Sequence, residues 1–309
     1  MRISSIDIGT NTILLLIAET DSAGVMAVLH DEQVIARLGK GVDENRVISQ
    51  GTFRRAADYL QSYRRTSDSF RSEKIIAVGT SALRDASNKK EFCDFIHRTV
   101  GISIEILSGE EEAEWTCRGA VVGIDTGGDK FTVLDIGGGS TEIVSAVRDR
   151  ILDRTSLDIG CVRLTERLLR TSPPTEREID SSRGLIRKHI EGVGFVRTGI
   201  THAVGVAGTV TTLAAMRLQL LQYDPAKVHG YELQYDDILE SFELLKGKTL
   251  NEIKSIPQIT PGRADILLAG VMILLEFMDA VGIKSITVSD RGLRYGILLR
   301  EIERSKASY

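Results

Sequence analysis

An α/β protein of two domains is what this sequence predicts, on three observations. The chain has 309 residues, about twice the ~150 typical of one domain. β-rich segments followed by helical periodicity occur once in each half, which points to two α/β domains related by a duplication of architecture. Each half also carries Asp-Ile-Gly at the end of an apolar strand, at Asp7-Ile8-Gly9 and at Asp135-Ile136-Gly137.

The first half begins with three strand-like stretches, Ile3–Ile6, Thr12–Ala18 and Val25–His30. Phe53, Ala56, Ala57, Leu60 and Tyr63 recur at helical spacing and predict a helix. Lys74–Val78 is a short apolar run stopped by Gly79, as a buried strand would be. Asn88 and Glu91 have capping-box spacing and predict a helix through Phe92, Phe95 and Ile96. Ile102–Leu107 is a further strand. After Ser108-Gly109, the acidic run from Glu110 starts a helix that carries Trp115, which reads as core packing. Gly123-Ile-Asp-Thr-Gly-Gly-Asp129 then interrupts the periodicity and predicts the domain boundary, with one domain over 1–124 and a second over 125–296.

β character restarts at Phe131–Leu134, Ile143–Val147 and Ile151–Leu157. Helices are predicted around Val162–Leu169 and, after Pro173-Pro174, from the Thr175/Glu178 capping box to about Ile190. Ala203–Val206 is a strand leading through Gly208 into an apolar helix near Leu213. Thr260-Pro261 supplies a cap and a first-turn proline before a helix over Ala264–Val281. Ile286–Val288 is the last strand and Leu293 to about Arg304 the last helix.

The two glycine turns, Asp7–Thr12 and Asp135–Glu142, are the chemical signal. A single strand–Asp–Gly–strand segment is no more than a hairpin. The second turn, however, holds three successive glycines, Ser140, Thr141 and a carboxylate, an excess that hairpin geometry does not require. Glycines let backbone N–H groups approach phosphate oxygens, and successive N–H groups form an anion-binding nest. The flanking carboxylates Asp135 and Glu142 are suited to Mg²⁺, which takes oxygen ligands and keeps several waters. Glu110-Glu111-Glu112 opens a helix, where anions complement the macrodipole. Three acids exceed that need, so one is a candidate base, and the spacing does not choose among them.

Composition excludes several classes. Lys and Arg number 39 against 43 Asp and Glu, a net charge of −4, which rules out a strongly basic nucleic-acid binder. Aromatic residues make up 5%, little material for base stacking. Cys93, Cys117 and Cys161 match neither a disulfide framework nor a zinc spacing, and Cys161 has no histidine partner in its sequence context. Ile13–Ala18 is too short for a signal-peptide core, and Ile266–Leu275 falls far below the ~20 residues that cross a bilayer. A cytoplasmic protein with no membrane and no nucleic-acid partner is therefore expected. A polyanionic substrate remains compatible with the net charge, because a cleft is focused by its nearest charges. Arg263, Arg291 and Arg294 are available but are not assigned as contacts, and His229 reads as a structural hydrogen-bonding residue.

Ser5-Ile-Asp-Ile-Gly-Thr-Asn11, Thr80-Ser-Ala-Leu-Arg-Asp-Ala86, Ser108-Gly-Glu-Glu-Glu-Ala113, Asp135–Glu142, Gly205–Thr212, Val228-His-Gly230, Arg263–Gly270 and Ser289–Gly296 follow one another in order. This set, spread over nearly the whole chain, resembles the Ppx/GppA family of exopolyphosphatases and guanosine pentaphosphate phosphohydrolases. The resemblance implies an α/β, two-lobed actin-like ATPase (ribonuclease H-like) fold with a cleft between lobes, and a last helix, about 297–309, packing back on the first lobe. The chain ends at Tyr309 and so looks like a short form without the C-terminal HD-type region of larger members.

The resemblance also assigns roles. Glu112 matches the catalytic base and Glu142 the essential second glutamate. Asp135 with Glu142 matches the position of Mg²⁺ or another divalent cation. Asn11 and Thr12, Arg84, the turn Gly137, Gly138, Gly139 and Ser140, and Gly208-Thr209 match phosphate-binding positions. Ala207 departs from the family, which often has glycine there, and a positive φ at that residue would be strained. The implied activity is hydrolysis of the terminal phosphoanhydride bond of inorganic polyphosphate, with guanosine pentaphosphate (pppGpp) as the alternative substrate and a homodimer left open as the assembly. A kinase or ATPase of the same superfamily and a non-catalytic polyphosphate or alarmone sensor are the competing classes. The Glu112 region matches the phosphatase pattern instead of a kinase acceptor pocket, and retention of Glu112, Asp135 and Glu142 argues against a dead sensor.

Overall fold

The computed structural model describes residues 1–20, 26–128, 130–197, 200 and 202–307. Val25, Asp129, Ser308 and Tyr309, each placed in a predicted feature above, lie outside these. The chain divides into two compact units, Met1–Gly119 with Leu293–Tyr309, and Ala120–Gly292.

The first unit holds a five-stranded sheet in the order β3-β2-β1-β4-β5, formed by β1 (Arg2–Ile8), β2 (Thr12–Thr20), β3 (Met26–Ile35), β4 (Lys74–Gly79) and β5 (Ile104–Ile106). β1, β2 and β3 run as an antiparallel meander, and β4 and β5 add in parallel beside β1. The second unit repeats this plan with β6 (Lys130–Ile136), β7 (Thr141–Val147), β8 (Arg150–Leu157), β9 (His202–Val206), β10 (Glu232–Gln234) and β11 (Ser285–Val288). β8-β7-β6-β9-β11 has the same order and directions, and β10 adds one antiparallel edge strand. The order, found twice, is that of the actin-like (ribonuclease H-like) α/β fold. Asp7 and Asp135 occupy the same place in the two sheets, next to last in the first strand. Their cross-strand partners differ: Leu14 in one, Glu142 in the other.

In the first sheet Ile6, Ile8, Ile13, Leu15 and Ile17 share one core with the helices Gln50–Ser69 and Lys89–Val100, where Phe53 meets Phe92 edge-on at 5.1 Å. The opposite face packs Ile3, Leu16 and Ala18 against Tyr295 and Leu298 of the helix Leu293–Ala307. This helix approaches the helix Gly109–Ala120 so closely that a Cβ on Gly296 would lie 1.8 Å from the Trp115 carbonyl oxygen. Trp115 packs beside Val78, Leu107, Leu293 and Ile297, as core. In the second unit the helix Leu267–Val281 is buried nearly all round, against the helices Cys161–Leu168, Glu176–Glu191 and Tyr235–Lys246. Its single buried carboxylate, Glu276, accepts 2.6 Å from Arg187 and lies 3.4 Å from Arg183, so the buried charge is paired. No helix among the described residues is long and apolar enough to cross a membrane.

Two helix starts differ from expectation. Asn88 precedes the helix Lys89–Val100 but makes no capping bond, because its amide is used to bridge Ile48, accepting from its N–H at 3.0 Å and donating to its carbonyl at 2.9 Å. Glu91 accepts from Gln50 instead. Thr260-Pro261 does not open the long helix either. The chain first passes through turns in which the Arg263 N–H meets the Thr260 carbonyl at 2.8 Å, and the helix begins at Leu267. The Thr175/Glu178 capping box does form.

Gly296→Ala is expected to destabilise the protein by about 2 kcal/mol or more, as overpacking against rigid backbone does. Urea unfolding of the two proteins, compared at equal m-value, measures it.

Candidate active site

The predicted residues gather at the carboxyl ends of the parallel strands in each unit, where open α/β sheets bind ligands. In the first unit the Thr80 N–H reaches the Ile8 carbonyl at 3.3 Å and the Leu107 N–H the Gly79 carbonyl at 3.0 Å, which brings the ends of β1, β4 and β5 level. Asn11 lies in the turn after β1 and Thr12 opens β2, Arg84 follows β4 in the short helix Ser81–Asp85, and Glu112 follows β5.

The three adjacent glutamates separate cleanly. Ser108 and Glu111 form a capping box: the Glu111 carboxylate accepts from the Ser108 N–H and hydroxyl, both at 2.8 Å, and Ser108 Oγ accepts from the Glu111 N–H at 3.2 Å. Glu110 and Glu111 are exposed, whereas Glu112 is only 7% exposed. Glu112 is paired with Arg84, whose guanidinium also donates to the Leu107 carbonyl at 3.3 Å. Burial raises the Glu112 carboxyl above the ordinary carboxylate range, and the Arg84 charge and hydrogen bond pull the other way.

In the second unit Asp135 and Glu142 are direct partners across β6 and β7 and so share one face of the sheet, and the Ser156 hydroxyl donates to Glu142 at 2.7 Å. Between them lies the glycine turn. Its Gly137 N–H closes the hairpin on the Ser140 carbonyl at 3.0 Å, and a Cβ on Gly137 would stand 3.0 Å from that same oxygen. The first unit repeats the arrangement, with the Gly9 N–H on the Thr12 carbonyl at 3.0 Å. Both turns close as hairpins.

The carbonyls of the second turn all have partners. Gly137 O accepts from the Cys161 N–H at 2.9 Å, Gly138 O from the Val162 and Arg163 N–H groups at 2.8 and 3.1 Å, and Gly139 O from Arg163 Nε at 2.7 Å. Because a trans peptide sets its N–H opposite its C=O, these bonds turn the amides of Gly138, Gly139 and Ser140 to the other side together. Gly160 is needed for the approach, since a Cβ there would sit 2.5 Å from the Gly138 oxygen.

β9 runs beside β6, pairing Val206 with Asp135, and delivers the Ala207–Arg217 helix start next to the turn. Ala207 has φ 72°, the left-handed region anticipated for the residue that departs from the family. Arg263 lies directly over Gly208, where a Cβ would overlap its guanidinium. The Thr209 side chain is buried against Gly270, whose Cβ would lie 2.1 Å from the Thr209 hydroxyl. Burial pushes the Cys161 thiol up to about 12, against the pull of Arg263, and a thiolate nucleophile is disfavoured at neutral pH. His229 is structural: one ring nitrogen donates to the Val122 carbonyl at 3.1 Å and the other accepts from the Asp290 N–H at 3.3 Å. Arg291 donates to the same Val122 carbonyl, and Arg294 is engaged by Asp31 within the first unit. The sequence reading did not single out Arg163; the helix-opening Gly160 was the available signal. Arg263 was noted but had no signal to place it on Gly208.

A sequence signature described as the Ppx/GppA phosphatase family matches residues 16–305. Exopolyphosphatase 2 of Mycobacterium tuberculosis is 36% identical over 96% of this chain and 98% of its own length. A guanosine-5'-triphosphate,3'-diphosphate pyrophosphatase of Photobacterium profundum is 27% identical over 98% of this chain, which spans 60% of that protein. Among solved structures, an exopolyphosphatase from Cytophaga hutchinsonii superposes with a TM-score of 0.93 at 29% identity, covering 98% of each chain. The Aquifex aeolicus Ppx/GppA protein gives a TM-score of 0.83 at 32% identity, over 99% of this chain and 98% of its own.

Relieving the left-handed alanine costs chain entropy but removes strain of about 1–2 kcal/mol, so Ala207→Gly is expected to raise stability by up to about 1 kcal/mol. Thermal and urea unfolding of both proteins checks the sign.

Proposed function

Because the chain belongs to the Ppx/GppA phosphatase family, we propose that it is an exopolyphosphatase, hydrolysing the terminal phosphoanhydride bond of inorganic polyphosphate and releasing orthophosphate. Carrying this reading structurally is the coordinated set of amides at Gly138, Gly139 and Ser140, which suits the closely spaced oxygens of a phosphate chain. Asn11, Thr12, Arg84 and Gly208 are the further phosphate contacts in this reading, and Thr209 contributes through its backbone.

Glu112 is the base. As the water oxygen bonds to the terminal phosphorus, Glu112 takes its proton, and the bridging P–O bond breaks with its electron pair going to the shortened chain. Arg84 holds Glu112 in place and supplies positive charge for the transferred phosphoryl. Asp135 and Glu142 fit a divalent cation: they are two oxygen donors on one face beside the turn, and Mg²⁺ is commonly held by one or two carboxylates with phosphate oxygens and water completing its shell. Among the described residues no group of three or more His, Cys, Asp or Glu forms a metal cage. When bound, the ion neutralises charge on non-bridging phosphate oxygens.

Protein with Mg²⁺ is to be offered polyphosphates of defined length, pppGpp, ATP, and ATP with sugars, with orthophosphate and ADP measured. Orthophosphate from polyphosphate without an acceptor is expected; preference for pppGpp would replace the substrate, sugar-dependent ADP would indicate a kinase, and tight binding without turnover a sensor. Glu112→Gln is expected to lower kcat by roughly 10²–10⁴-fold with the fold intact, and near-normal turnover would remove Glu112 from the base role. Glu112 works only when ionised, so its raised carboxyl places the acid limb of the kcat profile above the ordinary carboxylate range. Arg84→Met removes the cation favouring the ionised form and is expected to move that limb to higher pH; a limb unmoved by either substitution belongs to another group.

A further inference from the structure

The two turns can be compared carbonyl by carbonyl, because Asp7–Thr12 and Asp135–Ser140 occupy the same place in equivalent sheets. The Thr10 carbonyl is held by the Gly39 N–H at 2.8 Å, and its counterpart Gly138 by the Val162 and Arg163 N–H groups. The Asn11 carbonyl is held by the Arg37 N–H at 2.8 Å. Its counterpart Gly139 has no such backbone donor among the described residues; it is held by a side chain, Arg163 Nε, at 2.7 Å. Both units thus anchor this carbonyl, and only the glycine-rich one does so with a cation.

That cation is 5% exposed. A guanidinium is a charge-assisted donor, stronger than a backbone N–H, so this carbonyl is held more firmly in the glycine-rich unit. The Gly139 carbonyl it holds fixes the Ser140 amide on the opposite side, against the start of the helix Cys161–Leu168. We propose that Arg163 is the positioning residue of the phosphate turn: through its side chain on the Gly139 carbonyl it sets the Ser140 amide for an anion, without touching the phosphate. This rests on the reading that the turn takes a phosphate.

Arg163→Met, Arg163→Lys and Gly160→Ala test it in the full chain with Mg²⁺. Arg163→Met is expected to raise KM for polyphosphate about tenfold or more, the scale of losing a charge-assisted hydrogen bond. Arg163→Lys, which keeps a charge and a donor, recovers most of it. Gly160→Ala displaces the Gly138 carbonyl with Arg163 intact and should raise KM as well; it also serves if the methionine variant does not fold. The backbone amide resonances of Gly139 and Ser140, followed by NMR during titration with orthophosphate, should shift in the native protein, and that of Ser140 should respond less in Arg163→Met. Equal loss of thermal stability in the Met and Lys variants, with KM and amide response both native, would make Arg163 a packing residue and overturn the inference. A native protein inactive on polyphosphate, whose amides nevertheless respond to orthophosphate through Arg163, would sink the exopolyphosphatase reading and leave this one standing. Amides that ignore orthophosphate in the native protein overturn it.

Discussion

A planar peptide cannot point its carbonyl and its amide the same way, and the second glycine turn is governed by that constraint. Once Gly137, Gly138 and Gly139 give their oxygens to the start of the following helix, three amides must face the opposite direction. Much of the local sequence serves this geometry. Gly160 clears the space for the approach, Cys161 and Val162 bring the donors, and β6 and β7 hold the turn at the sheet edge with Asp135 and Glu142 alongside. The shared direction of these amides is therefore a property of tertiary packing, and glycine content only permits it.

The duplicated plan lets the two units specialise. Asp7 faces Leu14 across its hairpin, while Asp135 faces Glu142, so the paired carboxylates exist in the second unit alone. The first unit holds a different acid: Glu112 sits on a helix after β5, buried and tied to Arg84. One unit carries a buried, arginine-paired acid and the other a pair of facing carboxylates. The same sheet supports both because strand ends, and not strand interiors, carry the chemistry.

Most of this architecture was legible in the residues. The strands and the two turns could be read because apolar alternation and glycine punctuation are local signals, and Ala207 could be flagged because one Cβ at a positive φ has a local cost. Choosing among Glu110, Glu111 and Glu112 was not local. It depended on Ser108 capping with Glu111 and on which helix face meets Arg84. Asn88 misled for the same reason: an amide able to cap was taken by Ile48, forty residues earlier. Arg163 carried no local signal and Arg263, available for a cleft or a loop, had none that tied it to a partner; only folding shows one under a carbonyl and the other over Gly208.

The helix Leu293–Ala307 covers the sheet face made by β1 and β2, residues from the opposite end of the chain. On a ribosome adding roughly 5–20 residues per second, the first sheet must wait with Ile3, Leu16 and Ala18 uncovered while all of Ala120–Gly292 is synthesised. The later-made unit is contiguous and can finish folding first. Translation order and folding order are thereby uncoupled, and the nascent chain carries an exposed oily surface that chaperones would have reason to shield until the final turns emerge.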